Sequence, residues 1–164
     1  MRSGCLCVAA LFLAAALIAC DSAPIAPQVY IVRHAEKLAG DDPQLSPAGV
    51  ARARALADAL GSAGITRIFS TDTRRTRATA APLARALGIT PQIYSSDAQD
   101  LLAANIIASG ETVLIVGHSN TIREMAAAFG VDAGEPVDEA TEYDRMYVIT
   151  VGDAPRVETR RYGE

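Results

Sequence analysis

The fold is decided by an apolar run that ends in two basic side chains, Val29-Tyr30-Ile31-Val32-Arg33-His34, in a chain of 164 residues. A short, continuous apolar run of this kind is typical of a strand that is buried on both faces of a parallel sheet. We therefore predict the first strand over residues 29–32. The Arg-His pair then follows the carboxyl end of that strand.

Helical and strand-like segments alternate after this first strand. Ser46 and Pro47 provide a cap and a first-turn proline for a helix that ends at Gly61. The other predicted helices span 73–87, 98–108 and about 120–129, and the other predicted strands span 65–69, 93–94, 112–116, 147–151 and 157–161. This alternation predicts an α/β domain over residues 28–164, a three-layer α/β/α sandwich with a mostly parallel central sheet.

Composition agrees with a single globular domain and excludes some functions. Half of the residues are apolar and 21% are charged, which is the balance of an ordinary folded domain. The formal net charge of -4 argues against a nucleic-acid partner, because such proteins neutralise phosphates with a basic face. Any binding site for an anion must therefore be a local cluster of positive charge.

The N-terminal segment has the pattern of an export signal. Residues 5–19 form a run of 15 residues without a charge, too short for a membrane span of about 20 residues but typical of a signal peptide. The ending Leu17-Ile18-Ala19-Cys20 resembles the bacterial lipobox, in which the cysteine is lipidated. We expect a signal peptide over residues 1–19, a lipidated Cys20 with a tether to residue 27, and an exported protein anchored to a membrane and facing the periplasm or cell exterior. A signal peptide cut elsewhere and a cytosolic apolar tail are the alternatives.

The two histidines follow two predicted strands. His34 comes directly after the first strand, and Gly117-His118-Ser119 comes directly after the strand at 112–116. The carboxyl ends of parallel strands share one edge of a sheet, so we expect the two imidazoles to converge although 84 residues separate them. A structural role for each histidine is the alternative.

Three arginines follow the second predicted strand at the start of a helix. Arg74, Arg75 and Arg77 cannot all point toward the sheet edge, because successive helical residues turn by about 100°. Free amides at the predicted helix N-termini near Thr73 and Ser119 favour an anion. Together with the histidines, these groups predict a pocket for a doubly charged phosphoryl group.

Four motifs in order resemble those of the histidine phosphatase (phosphoglycerate mutase-like) superfamily, branch 1, and the short segments between them resemble its compact members. The resemblance covers residues 29–149, and its motifs are Arg33-His34-Ala35-Glu36-Lys37, Leu45-Ser46-Pro47-Ala48-Gly49, Ser70-Thr71 through Arg75-Thr76 with Thr79-Ala80, and Val116-Gly117-His118-Ser119-Asn120-Thr121.

The resemblance implies both a reaction and roles for the site residues. His34 is the implied nucleophile, which becomes phosphohistidine, and Arg33, Arg75, His118 and Ser119 are the implied phosphoryl ligands. It implies a phosphatase that hydrolyses a small phosphomonoester without a metal or other cofactor, while Arg74 and Arg77 face solvent. A phosphohistidine-protein phosphatase, a phosphatase for phosphorylated envelope glycans or lipids, and a non-catalytic phosphoanion-binding lipoprotein are the alternatives.

The proton donor is the least defined part of this pattern. Family members commonly place a glutamate before the second histidine, but the corresponding segment here, residues 91–110, is short and offers Asp97 and Asp100. Each either protonates the leaving group or caps the helix that follows. Glu36 is a third candidate, with a surface pair to Lys37 as its alternative role. The short segment argues against a mutase, which needs a lid to exclude water.

Two further features have alternative roles. Ala35 stands where the family usually has glycine, a change that costs little if φ stays below zero. The acidic stretch at residues 134–144 is expected to be a solvated loop, or else to border the pocket and repel highly anionic substrates. Arg123, one helical turn after His118, either lies on the helix surface or widens the cationic site.

Overall fold

The structure, a computed structural model, describes residues 26–163. The predicted signal peptide and Cys20 lie outside the described residues. Within the described range, no helix is both long enough and apolar enough to cross a membrane.

Strands and helices alternate in the predicted order, and their bounds differ from the predicted ones by at most two residues. The strands are β1 (Gln28–Arg33), β2 (Arg67–Ser70), β3 (Gln92–Ile93), β4 (Val113–Gly117), β5 (Arg145–Thr150) and β6 (Arg156–Arg161). The helices are α1 (Pro47–Leu60), α2 (Arg74–Leu87), α3 (Gln99–Ser109) and α4 (Ile122–Ala128), with a short 3-10 helix, Ser96–Ala98, before α3.

The six strands form one mixed sheet in the order β3-β2-β4-β1-β5-β6. The four strands from β3 to β1 run parallel, and β5 and β6 are antiparallel to their neighbours. Helices α1 and α2 pack on one face and α3 and α4 on the other. The predicted three-layer sandwich with a mostly parallel sheet is confirmed.

Strand β1 is central and is buried on both sides. Val29 and Ile31 belong to the core beneath α3 and α4, whereas Tyr30 and Val32 belong to the core beneath α1 and α2. This explains why the run is continuously apolar rather than alternating. Its carboxyl end therefore emerges from a rigid setting.

The start of α1 packs tightly against the chain that follows His34. Ser46 caps the helix by accepting from the backbone N–H of Gly49 at 3.1 Å, as the sequence predicts. A Cβ atom on Gly49 would lie 2.0 Å from the carbonyl oxygen of Glu36. Only glycine fits this close approach, which fixes the segment beside the first histidine.

Candidate active site

The two histidines meet at the carboxyl edge of the sheet. In the β1–β4 register Arg33 pairs with Gly117, so His34 and His118 each follow a paired position. The backbone N–H of His34 donates to the Gly117 carbonyl at 2.9 Å. The ring centroids are 5.5 Å apart at an interplanar angle of 66°. The strand order thus brings the imidazoles together as predicted.

A backbone hydrogen bond fixes the tautomer of His34. The Nδ1 atom lies 2.8 Å from the carbonyl oxygen of Ala35, which can only accept, so Nδ1 carries the proton. The lone pair is left on Nε2. Ala35 makes this contact without a positive φ, so alanine takes the place of the family's usual glycine without strain.

Burial keeps the His34 ring neutral. The residue is 3% exposed, and desolvation, opposed by the Ala35 hydrogen bond and aided by the charges of Arg33 and Arg75, lowers the pKa of His34 to about 4. At neutral pH the Nε2 lone pair is therefore available to attack an electrophile.

His118 has the opposite tautomer. Its Nδ1 lies 3.4 Å from Nη2 of Arg75, and a guanidinium can only donate, so Nδ1 accepts and Nε2 carries the proton. Nε2 then donates to Oγ1 of Thr71 at 2.8 Å. Burial, followed by the charges of Arg75 and Arg33, lowers the pKa of His118 to about 4. This ring is also neutral near pH 7.

The two arginines supply the positive charge of the site. Arg33 is 2% exposed, its Nη1 donates to the carbonyl oxygens of Glu142 at 3.1 Å and Asp138 at 3.4 Å, and its Cζ lies 4.0 Å from the centroid of the Tyr143 ring. The Nε atoms of Arg33 and Arg75 are buried and have no hydrogen-bond partner among residues 26–163. Unpaired buried donors on guanidinium groups suit an anionic ligand.

The acidic stretch borders this site through its backbone. The carbonyls of Asp138 and Glu142 hold Arg33, and the Tyr143 ring centroid lies 6.2 Å from that of His34. The Glu142 side chain has other partners, because its carboxylate pairs with Arg145 at 2.8 Å and with Arg161 at 2.7 Å. The loop therefore positions Arg33.

The three proton-donor candidates do not contact the histidines. Glu36 pairs with Arg52 at 2.7 Å and not with Lys37, the partner in its alternative role. Asp97 and Asp100 are exposed, in the 3-10 helix and the first turn of α3 respectively. Neither takes the alternative role of a helix cap: the Ser95 side chain caps the 3-10 helix, and α3 has no side-chain cap.

The sequence predicts the N-terminus of α2 correctly but not that of α4. Thr73 caps α2 by accepting from the backbone N–H of Thr76. The helix start expected at Ser119 is wrong, because α4 begins at Ile122 and the carbonyl of His118 instead accepts from the N–H groups of Thr121 and Ile122 at 3.0 and 3.1 Å. Ser119 lies in the intervening turn.

The remaining predicted arginines lie on the surface. Arg74 and Arg77 are exposed, as the resemblance implies. Arg77 pairs with Asp72 at 2.6 Å. Arg123 is exposed on α4.

An open cleft of about 450 Å³ leads away from the second histidine. Its walls comprise Thr71, Asp72, Thr73, Ile93, Tyr94, Ser95, Ser96 and His118. Of the two histidines, His118 lines this cleft. Within residues 26–163, no group of three or more His, Cys, Asp or Glu side chains is placed to hold a metal ion.

Three contacts of the site were not foreseen from the sequence. Thr71 orients His118, Tyr143 stacks on Arg33, and Asp42 lies 3.7 Å from Nη1 of Arg75. Thr71 lies inside one of the four motifs of the resemblance, so the sequence could have indicated that it belongs to the site. Asp42 and Tyr143 lie in irregular segments with no periodic pattern, and only the tertiary fold brings them to the site.

Comparison with known proteins agrees with this geometry. The model of the histidine phosphatase superfamily (branch 1) matches residues 29–100, which contain β1, His34 and Arg75. Over these residues the chain is similar to the histidine phosphatase superfamily. No protein of curated function matches it.

Solved structures that share the fold include proteins described as phosphatases. A mycobacterial glucosyl-3-phosphoglycerate phosphatase is 16% identical with a TM-score of 0.65, over 84% of this chain and 99% of that one. The protein histidine phosphatase SixA in complex with tungstate is 17% identical with a TM-score of 0.66, over 82% and 96%. A putative phosphohistidine phosphatase SixA from Agrobacterium tumefaciens is 22% identical with a TM-score of 0.61, over 81% and 97%.

Proposed function

We propose that this protein is a member of the histidine phosphatase superfamily and that it hydrolyses a phosphomonoester through a phosphohistidine on Nε2 of His34, with no metal in the reaction. One observation carries the proposal: a neutral imidazole with its free lone pair on Nε2 lies in the field of two guanidinium groups. The chemistry of phosphoryl transfer needs a positioned nucleophile and positive charge around the transferred group, and these residues offer both.

In the first step, Nε2 of His34 attacks phosphorus in line with the leaving oxygen. A P–N bond forms, the P–O bond to the leaving group breaks, and the leaving alkoxide takes up a proton from solvent water. Arg33 and Arg75 compensate the charge of the equatorial oxygens through donors that have no partner in the described residues. The Ala35 carbonyl stabilises the positive charge that spreads to the ring N–H.

In the second step, water attacks phosphorus and the P–N bond breaks. The electron pair returns to Nε2, and orthophosphate leaves with the oxygen that the water supplied. The lowered pKa of His34 favours this step, because a ring that is a weak base is a good leaving group. The cycle restores the neutral imidazole.

Rapid quenching with a ³²P-labelled aryl phosphate tests this proposal. We expect the full chain to carry label that is stable in base and labile in acid, as phosphohistidine is. His34→Ala should lose the label, whereas His118→Ala, the matched control at the other histidine, should keep the site of attachment and label more slowly. Absence of label and of phosphate release across a broad set of phosphoesters would leave the non-catalytic phosphoanion-binding alternative.

A phosphohistidine-containing protein is the second candidate substrate. The observation that favours it is that Glu36, Asp97 and Asp100 do not contact either histidine in the described part of the chain. A leaving imidazole accepts a proton more readily than an alkoxide does, so such a substrate depends less on a general acid. The fold shared with SixA supports the same reading. Comparing kcat/KM for a phosphohistidine protein and for a serine phosphopeptide separates the two candidates.

We also propose that the protein is exported and held at a membrane by lipid on Cys20, facing the periplasm or cell exterior. Support comes from the uncharged run at residues 5–19 and from the Leu17-Ile18-Ala19-Cys20 ending. Labelling cells with radioactive palmitate tests this directly. Label on the wild-type protein and none on Cys20→Ser is expected, and equal label on both would contradict the anchor.

A further inference from the structure

Asp42 is the carboxylate that contacts the proposed phosphoryl site. Its Oδ1 lies 3.7 Å from Nη1 of Arg75. Among residues 26–163, no other carboxylate forms an ion pair with Arg33, Arg75, His34 or His118. The same oxygen accepts from the backbone N–H of Arg74 at 3.0 Å. Asp42 thus contacts both the first turn of α2 and a proposed phosphoryl ligand.

The loop that carries Asp42 is closed at its base. The N–H of Leu38 donates to the carbonyl of Gln44 at 3.0 Å, and the N–H of Ser46 donates to the carbonyl of Glu36 at 2.9 Å. These bonds hold the ends of the loop independently of Asp42. Its carboxylate is therefore free to act on the site without being needed to close the loop.

The contact between Asp42 and Arg75 is one that an incoming anion can replace. The Asp42 side chain is 50% exposed, and the 3.7 Å distance is longer than a charge-assisted hydrogen bond. Exposed pairs of this type contribute little, because water and salt screen them. A phosphoryl dianion offers Arg75 more charge and more acceptor oxygens than one distant carboxylate oxygen does.

We propose that Asp42 is a positioning residue that holds Arg75, and that an incoming phosphoryl group displaces Asp42 from this contact. The inference rests on the proposed phosphatase function. Its consequence is that Asp42 weakens the binding of orthophosphate, because its negative charge opposes that of the product. The carboxylate therefore helps product to leave.

Isothermal titration of the full-length protein with inorganic phosphate tests this inference. Asp42→Asn keeps an oxygen that can accept from Arg74 but removes the charge, and we expect phosphate to bind about two- to fivefold more tightly, the effect of an exposed charge pair. The gain should shrink as salt rises from low to high ionic strength. Asp41→Asn is the matched control. It removes the same charge from the neighbouring residue, whose side chain is also exposed.

The outcomes separate this inference from the proposed function. Equal phosphate affinity in wild type, Asp42→Asn and Asp41→Asn overturns the inference, and so does weaker binding in Asp42→Asn. Phosphate binding is measured without turnover. A protein that shows the predicted change in phosphate affinity but hydrolyses no phosphoester therefore contradicts only the proposed phosphatase function. Hydrolysis of p-nitrophenyl phosphate by a protein with no affinity change contradicts only the role of Asp42. Asp42→Ser, which also lacks the charge, serves if the asparagine variant does not fold.

Discussion

Nη2 of Arg75 donates to Nδ1 of His118 at 3.4 Å, so the nitrogen that faces Arg75 carries no proton. The other ring nitrogen is already committed to Thr71 at 2.8 Å. The neutral ring therefore has no free N–H to offer an anion. To become a phosphoryl ligand, His118 must gain a proton at Nδ1 or change its tautomer.

Sulfate binding should consequently be coupled to proton uptake. A bound dianion favours the charged imidazole, so the pKa of His118 should rise from about 4 in the empty protein when sulfate is bound. Affinity should increase as pH falls from near neutrality toward 4. Calorimetry at pH 6 in two buffers with different protonation enthalpies measures the uptake. Observed enthalpies that agree between buffers would contradict it, and His118→Asn should reduce the difference.

Both histidines should also make the fold acid-sensitive. Burial lowers the pKa of His34 and His118 from 6.5 to about 4, so between these values the unfolded chain binds protons that the folded protein does not. Stability should therefore fall as pH decreases from about 6.5 to about 4. Thermal midpoints measured across this range test the sign.

The control for this acid sensitivity is a double variant. His34→Gln with His118→Asn removes both groups, and its thermal midpoint should vary less with pH over the same window. An equal pH dependence in wild type and the double variant would assign the effect to other groups.

The sequence predicted the parts of this site that depend on strand order. The apolar run at 29–32 and the run at 112–116 identify buried parallel strands, and their carboxyl ends had to meet at one edge. The sequence alone therefore predicts that His34 and His118 lie close together. The motif containing Arg75 lies at the end of a third strand and follows the same logic.

The parts that were missed depend on contacts between irregular segments. The bend at residues 119–121 delays α4, because the His118 carbonyl bonds to Thr121 and Ile122 before helical bonding begins. Glu36 pairs with Arg52 on α1 because the close contact at Gly49 sets that helix against it. Neither relation has a periodic signature, so sequence pattern alone gives no means to find it.

Thr71 should matter through the orientation of His118. Thr71→Val removes the acceptor for the Nε2–H of His118, and leaving that partly buried donor unpaired costs about 1–3 kcal/mol. We expect kcat/KM for an aryl phosphate to fall by about tenfold. Thr71→Ser keeps the hydroxyl and should retain most of the activity. Equal rates for the valine and serine variants would show that the hydroxyl does not orient the ring.

Gly49 should be essential for the packing of α1. Gly49→Ala puts a Cβ atom 2.0 Å from the backbone oxygen of Glu36, which cannot move aside as a flexible side chain does. Overpacking of this kind costs about 1–3 kcal/mol, which urea unfolding measures. Gly152→Ala is the control, because its Cβ would meet nothing within 4 Å. Comparable stabilities for the two variants would mean that α1 shifts without cost.

The leaving group should determine the rate if no residue protonates it. Glu36 is held by Arg52, and Asp97 and Asp100 are exposed, so we expect kcat/KM to fall steeply as the pKa of the leaving phenol rises in a series of aryl phosphates. Asp97→Asn and Asp100→Asn should leave that slope unchanged. If one of these variants instead slows only the substrates with poor leaving groups, the substituted residue is the general acid. A shallow slope in the wild-type enzyme that becomes steep in one variant would identify that residue and would weaken the case for a phosphohistidine substrate.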